Sequence, residues 1–321
     1  MILAIGNSGS FEVAAFTLVV DALKQRGQDA LLFKQDKCLE GEYLIFEVCG
    51  GIPHYYIIID GRRYNIDDFS AIWYLKPHLP KELLEYKPVE HRSFISRQFE
   101  EMRRALWSLF RYKKWLNDPW AMLIAENKLY QLQIATLAKF SIPETIITSD
   151  PNEIRAFYEK NNGDIIVKLL AVSPIPNKVI YTNRVTPEHM RQIDSIKMSP
   201  SIFQAYIKKD YELRITVVGD KIFPVKIHSQ ECEDTAIDWR RKPKPNDFEA
   251  KMEPVLLPDK IEENIRNLMG LLSLKFGCID MIVTPDGEYV FLEINPNGQW
   301  YFVQLESGLQ IAEAIAELLT D

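Results

Sequence analysis

The sequence predicts an α/β fold whose C-terminal half turns α+β, on three observations. It opens with a strand–helix–strand pattern, carries a long amphipathic helix before residue 117, and becomes strand-rich from residue 164. At 321 residues and 47% hydrophobic content the chain outgrows one small domain. The interruption Asn117-Asp118-Pro119 sets the first boundary, giving units 1–117, 118–200 and 201–321.

Residues 1–5 read as a buried strand, followed by the loop Gly6-Asn7-Ser8-Gly9-Ser10. A helix then runs to about Arg26, with Gly27 as its C-cap, and Ala30–Phe33 completes a βαβ unit. Strands at Tyr43–Val48 and Tyr55–Ile59 flank a Gly-Gly-Ile-Pro turn, and Ala71–Leu75 is a further buried strand. Phe99, Met102, Leu106, Leu109 and Phe110 share a face, which predicts one helix from Phe94 to Trp115. A helix from Glu126 to Phe140 and a strand through Thr148 follow. Asp150-Pro151-Asn152-Glu153 reads as a capping box with proline at the first helical position.

Asp164–Leu170, Lys178–Tyr181, Ile202–Ile207, Glu212–Val218 and Lys221–Ile227 read as extended, with Gly219-Asp220 a two-residue hairpin turn. A basic, proline-rich loop covers about 238–258. A helix starts at Asp259 with Glu262 completing a second capping box, and Ile261, Ile265, Leu268, Met269 and Leu272 form its core stripe. Strands Gly277–Val283 and Tyr289–Ile294 are joined by Pro285-Asp286-Gly287, and a single last helix spans Glu306–Leu319.

Thirty-eight basic against 45 acidic residues leave a net charge of −7, which argues against general binding to nucleic acid or membrane surfaces. The basic clusters Arg97–Lys114 and Arg240–Lys244 are solvated faces or a docking patch for an acidic partner. Four cysteines without a CxxC pair speak against zinc or a disulfide framework and fit a reducing, cytoplasmic location. No signal-peptide pattern opens the chain, and no apolar run reaches the roughly 18 residues a membrane span needs. Gly6-Asn7-Ser8-Gly9 falls short of a dinucleotide fingerprint, and neither a phosphate-binding GxxxxGK[ST] nor a GxSxG elbow occurs. Of the five scattered histidines, His228 beside Lys226 is the one placed with the nucleotide-binding set.

The chemistry concentrates in the last hairpin. Glu293 and Asn295 alternate onto one face of their strand, and Asp280 on the neighbouring strand can join them. Two carboxylates and an amide oxygen make a hard-oxygen site of the kind Mg²⁺ takes. The alternative is an outward polar stripe on an edge hairpin, although its flanks are very apolar and unpaired carboxylates there would be costly. Lys128 near a helix start and Lys168 at a strand end offer cations for phosphates. Gln204, with the backbone of Tyr206 and Ile207, offers an adenine edge, and Asp210 or Glu212 a ribose partner. Arg214 brings a planar guanidinium for phosphoryl oxygens.

In this order, two lysines, a hinge segment, Glu-x-Arg, Asp and Glu-x-Asn, the chain resembles the ATP-grasp superfamily. Closer motifs resemble its microviridin-type graspetide ligases: Trp115-Leu116-Asn117-Asp118-Pro119, Ala125-Glu126-Asn127-Lys128 with Gln131-Leu132, Ile142-Pro143-Glu144-Thr145, and Asp238-Trp239-Arg240. The run from Phe291 to Trp300 is the most specific of them. The resemblance implies an ATP-grasp fold whose central and C-terminal subdomains clasp ATP. It also implies two Mg²⁺ ions on Asp280, Glu293 and Asn295, and phosphate contacts from Lys128 and Lys168. Arg214 would meet the transferred phosphoryl group, and Asp238 and Arg240 would face the bound peptide. The implied partner is a precursor peptide with a leader and a Thr/Asp/Glu-containing core, joined through ω-esters; a homodimer stays open. An ω-amide-forming homologue, or a ligase for free amino acids or a protein C-terminus, is the alternative. Leu75-Lys76 stands where that family carries paired arginines.

Overall fold

The computed structural model describes residues 1–171, 181–232, 235–241 and 251–321. Four strands form a parallel N-terminal sheet in the order Ala30–Lys34, Ile2–Gly6, Ala71–Tyr74, Lys114–Trp115. Every residue of Ile2–Gly6 is buried, as expected for a parallel strand covered on both faces. Alternation sends Leu3, Ile5, Ile72 and Tyr74 into one core and Ile2, Ala4, Ala71 and Trp73 into another.

A five-stranded antiparallel sheet forms the C-terminal unit, in the order Met252–Pro254, Lys221–Ile227, Tyr211–Val218, Phe276–Val283, Tyr289–Asn295. Leu213, Ile215, Val217, Ile279 and Met281 on one of its faces enter the same core as Leu3 and Ile72. The first and last units are therefore fused by shared apolar packing. Asn117 reinforces the junction: its buried amide donates to the carbonyls of Phe276 at 2.8 Å and Pro296 at 2.9 Å, and accepts from the N–H groups of Lys275 and Phe276.

The middle of the chain builds a third sheet, ordered Asn183–Arg184, Ile165–Lys168, Ser201–Ala205, Thr145–Thr148. It has its own small core of Ile154, Phe157, Ile165, Val185, Ile193 and Phe203. This core corrects the expected boundaries. Ser201–Ala205 belongs to the central sheet, so that unit extends past residue 200. The helices Pro119–Ala125 and Lys128–Leu137 pack with Met122, Leu132 and Ala135 in the large core instead.

Other departures have local causes. The helix expected to reach Trp115 covers Glu90–Leu109, because Lys114–Trp115 pairs with Ala71–Ile72 and the Trp115 indole donates to the Phe110 carbonyl at 2.9 Å. Strand Arg62–Asn65 adds a third member beside Tyr43–Cys49 and Ile52–Ile59. The last helix is two, Tyr301–Ser307 and Ile311–Thr320, broken at Gly308, whose φ of 72° is left-handed. Neither predicted capping box forms. Asp150 caps alone, accepting from the Asn152 N–H, while Asp259 is already the first helical residue behind Pro258. Residues 178–180 of the predicted strand Lys178–Tyr181, and Lys242, Pro243 and Lys244 of the basic loop, lie outside the described residues. Among the described residues no helix is long and apolar enough to cross a membrane.

Candidate functional site

Strand register assembles the centre of the site. Arg214 lies opposite Asp280, and Asp280 opposite Glu293, so three ionic side chains form one row across three neighbouring strands. The row depends on a β-bulge. Met281 pairs with Phe291 but Asp280 pairs with Glu293, which leaves Leu292 as an extra residue. Without it Glu293, two residues from Phe291, would share that residue's apolar core face. The bulge turns the carboxylate out of the core and onto the face of Asp280.

Gln131 then fixes this edge strand. Its buried amide donates to the Ile294 carbonyl at 2.8 Å and the Ala125 carbonyl at 2.6 Å, and accepts from the Ile294 N–H at 3.1 Å. A side chain thus satisfies both backbone groups of the residue between Glu293 and Asn295, as a neighbouring strand would. The same helix is capped by Asn127, which accepts from the Tyr130 N–H, so Lys128 stands at its first turn. From there the Lys128 ammonium pairs with Glu293.

A cavity of about 350 Å³ opens in front of this row, between the central and C-terminal sheets. Lys128, Lys168, Gln204, Tyr206, Ile207, Glu212, Asp238, Arg240, Asp280, Glu293 and Asn295, eleven of the residues singled out from sequence, line it. Burial alone would push the Glu293 carboxyl up, but Lys128, Lys168 and Arg240 together hold it down to about 2. Burial and the neighbouring Glu293 push Asp280 above its ordinary value, against the pull of Arg214. The two neighbouring carboxyls are thus shifted in opposite directions by their different partners. Burial, then Lys128 and Arg240, depress the Lys168 ammonium. Asp238 is held below its usual range despite burial, because Arg240 donates to both its oxygens, at 2.8 and 2.7 Å.

Four assignments made from sequence are corrected. Arg214 does not line the cavity. Its guanidinium is buried behind Asp280, donating to both carboxylate oxygens at 2.9 Å and to the Gln299 carbonyl at 2.9 Å, so in this structure it holds Asp280. Lys226 pairs in register with Leu213, hence lies on the opposite face of the sheet from Arg214, with its ammonium 4.3 Å from the Tyr211 ring. His228 is held between Glu231 at 3.1 Å and Glu253 at 3.0 Å, away from the cavity wall. Asp210 is exposed outside the cavity, which leaves Glu212 of the two ribose candidates. Glu212 is itself paired with buried Lys209 at 2.6 Å, a partner that sequence reading missed. Of the adenine-edge groups, the Tyr206 N–H is already donated to the Asp164 carbonyl at 3.0 Å. Among the described residues Gln204 keeps a buried side-chain oxygen with no partner, while its amide nitrogen donates to Thr145 at 3.0 Å.

Gly298 was also missed. A Cβ there would lie 2.5 Å from the Cβ of Cys278 and 2.9 Å from Nη2 of Arg214, so only glycine lets the Asn297–Gln299 turn reach the guanidinium. Its φ is not left-handed, so Pro296-Asn297-Gly298 signals a turn in the sequence but not the close approach that reserves the position for glycine.

Sheets clasping one cavity, with Lys168 on the central side and a carboxylate row joined by Lys128 opposite, define the ATP-grasp class of fold. The chain belongs to the RimK-like ATP-grasp family, which matches residues 125–319. It is similar to the macrocyclase MdnC from Microcystis aeruginosa MRC, solved bound with the precursor peptide MdnA. That similarity reaches 29% identity and a TM-score of 0.86 over 100% of this chain and 99% of that one. A RiPP-associated ATP-grasp ligase from Chryseobacterium gregarium, solved with ADP and a leader and core peptide, shares 27% identity. Its TM-score is 0.85 over 99% of this chain and 96% of that one. Among curated proteins, the α-aminoadipate–LysW ligase LysX of Sulfurisphaera tokodaii is 22% identical over 195 residues, 57% of this chain. The chain spans 63% of the length of that relative.

Proposed function

We propose that this chain is an ATP- and Mg²⁺-dependent ligase that joins Asp or Glu side-chain carboxylates of a ribosomal precursor peptide to Thr or Ser hydroxyls. The observation that carries the nucleotide half is the charge pattern of the cavity. Lys128, Lys168, Lys209 and Arg240 face Glu212, Asp238, Asp280 and Glu293, so the wall is balanced. A balanced wall leaves a triphosphate's own charge to be met in part by divalent cations that enter with it. Asp280, Glu293 and Asn295 supply the hard oxygens such ions take. Asn295 fits too: its side-chain oxygen accepts one hydrogen bond, from the Asn297 N–H at 3.0 Å, and keeps a second lone pair. Among the described residues no group of three or more His, Cys, Asp and Glu gathers, so phosphate oxygens and water would complete the shell.

Bound ATP, its charge met by Mg²⁺, would supply the phosphoryl group that converts a carboxylate to an acyl phosphate with release of ADP, and attack by a hydroxyl would then form the ester and release phosphate. This chain's own residues do the positioning. Lys168 neutralises phosphate oxygens from the central sheet, and Lys128 exchanges its pairing with Glu293 for the same task. The unpartnered oxygen of Gln204 suits the adenine amine. Arg214 keeps Asp280 fixed, and Asp238 locks Arg240 toward the peptide side of the cavity. The central unit, with its separate core, is free to close over the site and exclude water.

The peptide half is supported by the whole-length similarity to two peptide-modifying enzymes. Glu293→Gln should abolish Mg²⁺-dependent nucleotide binding, read by calorimetry with and without Mg²⁺; wild-type affinity would remove Glu293 from the metal site. ADP release stimulated by a precursor peptide, with one water lost per ring and rings opened by base-catalysed methanolysis, establishes ester formation. Rings that resist methanolysis identify amides, and stimulation by free amino acids alone returns the reading to a small-molecule ligase.

A further inference from the structure

A second cavity, of about 200 Å³, lies beside the first. Its walls are mixed: Trp73 and Leu75 from the end of a parallel strand, Phe11 and Ala15 from the first helix, and Trp300 and Tyr301 from the segment after the carboxylate row supply the apolar part, and Glu12, Lys76, Asn297 and Gln299 the polar rim. The volume falls below the roughly 300–1,000 Å³ of small-molecule sites, so it suits one side chain rather than a whole ligand. Phe11 at its edge is 62% exposed and meets Tyr301 edge-to-face.

Two contacts join this cavity to the nucleotide site. Phe302 on its wall packs against Trp239 of the larger cavity, ring centroids 5.7 Å apart. Gln299, also on its wall, receives the Arg214 guanidinium that holds Asp280. Its floor lies at the carboxyl end of the strand Ala71–Tyr74, where open parallel sheets place their ligands. Lys76, on the wall there, adopts a left-handed φ of 53° without being glycine. Its ammonium pairs at 2.7 Å with Glu126, two residues before Lys128.

We propose that the second cavity is a subsite for an apolar side chain of the substrate peptide, seating the chain so that a neighbouring carboxylate reaches the nucleotide cavity. The proposal rests on the peptide-ligase reading. The aromatic and aliphatic part of the wall selects the side chain, and continuity through Trp239, Phe302 and Gln299 ties its occupancy to the reacting end.

The test uses the full chain with two blocked tetrapeptides that carry threonine and aspartate and differ only in leucine or glycine at the third position. Affinities come from NMR titration, and ADP release is followed separately with Mg²⁺ and ATP. Full burial of leucine predicts about tenfold to hundredfold tighter binding than glycine. Ala15→Leu, which fills the cavity from within, should erase that preference and leave Mg²⁺-dependent nucleotide binding unchanged. Phe11→Ala, at an exposed position that endangers no folding, should reduce it. Equal affinities, no detectable binding of either peptide, or a preference that survives both variants overturns the subsite. Leucine-selective binding with no ADP release, from these peptides or from a precursor peptide, keeps the subsite and removes the ligase reading. ADP release stimulated equally by both peptides does the reverse.

Discussion

Gly298→Ala is the most direct test of how the carboxylate row is held. The added carbon would sit 2.5 Å from the Cβ of Cys278, 2.8 Å from its sulfur and 2.9 Å from Nη2 of Arg214. Ordinary carbon contacts lie at about 3.5–4.0 Å, so the turn must retreat by about 1 Å. Cys278 cannot yield, since its strand is paired on both sides, to Thr216 and to Asn295. The retreat carries the Gln299 carbonyl out of reach of Arg214. Overpacking costs about 1–3 kcal/mol and an unpaired buried donor a similar amount, so about 3 kcal/mol is expected. For units of this size that lowers Tm by about 6–12 °C in a calorimetric scan. Nucleotide affinity measured with Mg²⁺ should fall as well, because Asp280 loses its fixed partner. Cys278→Ala keeps the carbon at 2.5 Å and should not rescue, whereas Cys278→Gly should recover part of the loss. A Gly298→Ala protein that melts within a degree of wild type and binds nucleotide normally would refute the reasoning.

Two further outcomes concern the edge strand and its lysine. Because Glu293 is held at about 2 against an ordinary 4.5, it contributes stability that is complete above about pH 4.5 and lost as pH falls toward 2. Asp280, shifted upward, contributes with the opposite sign. Lys128→Met removes the main cause of the depression, so urea midpoints compared between pH 6 and pH 3 should decline less steeply in the variant. A parallel decline would assign the acid sensitivity elsewhere. Gln131→Leu strands the N–H and C=O of Ile294, at a cost of about 2–4 kcal/mol. Hydrogen exchange at the Ile294 amide should accelerate sharply, and unchanged protection would show that the helix is not what secures this strand.

Much of the site was legible because it depends on residue type and short-range period. Alternation alone placed Glu293 with Asn295, and the flanking apolar residues marked their strand as buried. The hairpin at Gly219-Asp220 formed with Val218 opposite Lys221, as two-residue turn chemistry requires. The errors arose where long-range contacts overrode local pattern. The helix predicted to reach Trp115 kept its apolar period, but pairing with Ala71–Ile72 outweighed it. Lys226 carried the right charge on the right strand, yet its parity sent it to the other face of the sheet. Arg214 was tied to the carboxylates by its place in the chain, but nothing local reveals its pairing with Asp280 and Gln299.

Sequence alone therefore determined the fold class, the inventory of cations and carboxylates, and the strands that carry them, because these follow from composition and periods of 2 and 3.6 residues. Tertiary structure alone decided the bulge at Leu292 that turns Glu293 away from the core and the clasp of Gln131 on Ile294. It also decided the closeness of approach that reserves position 298 for glycine. The physical reason is common to all three. Register, backbone satisfaction and van der Waals distance are properties of pairs far apart in the chain, and no local pattern encodes them.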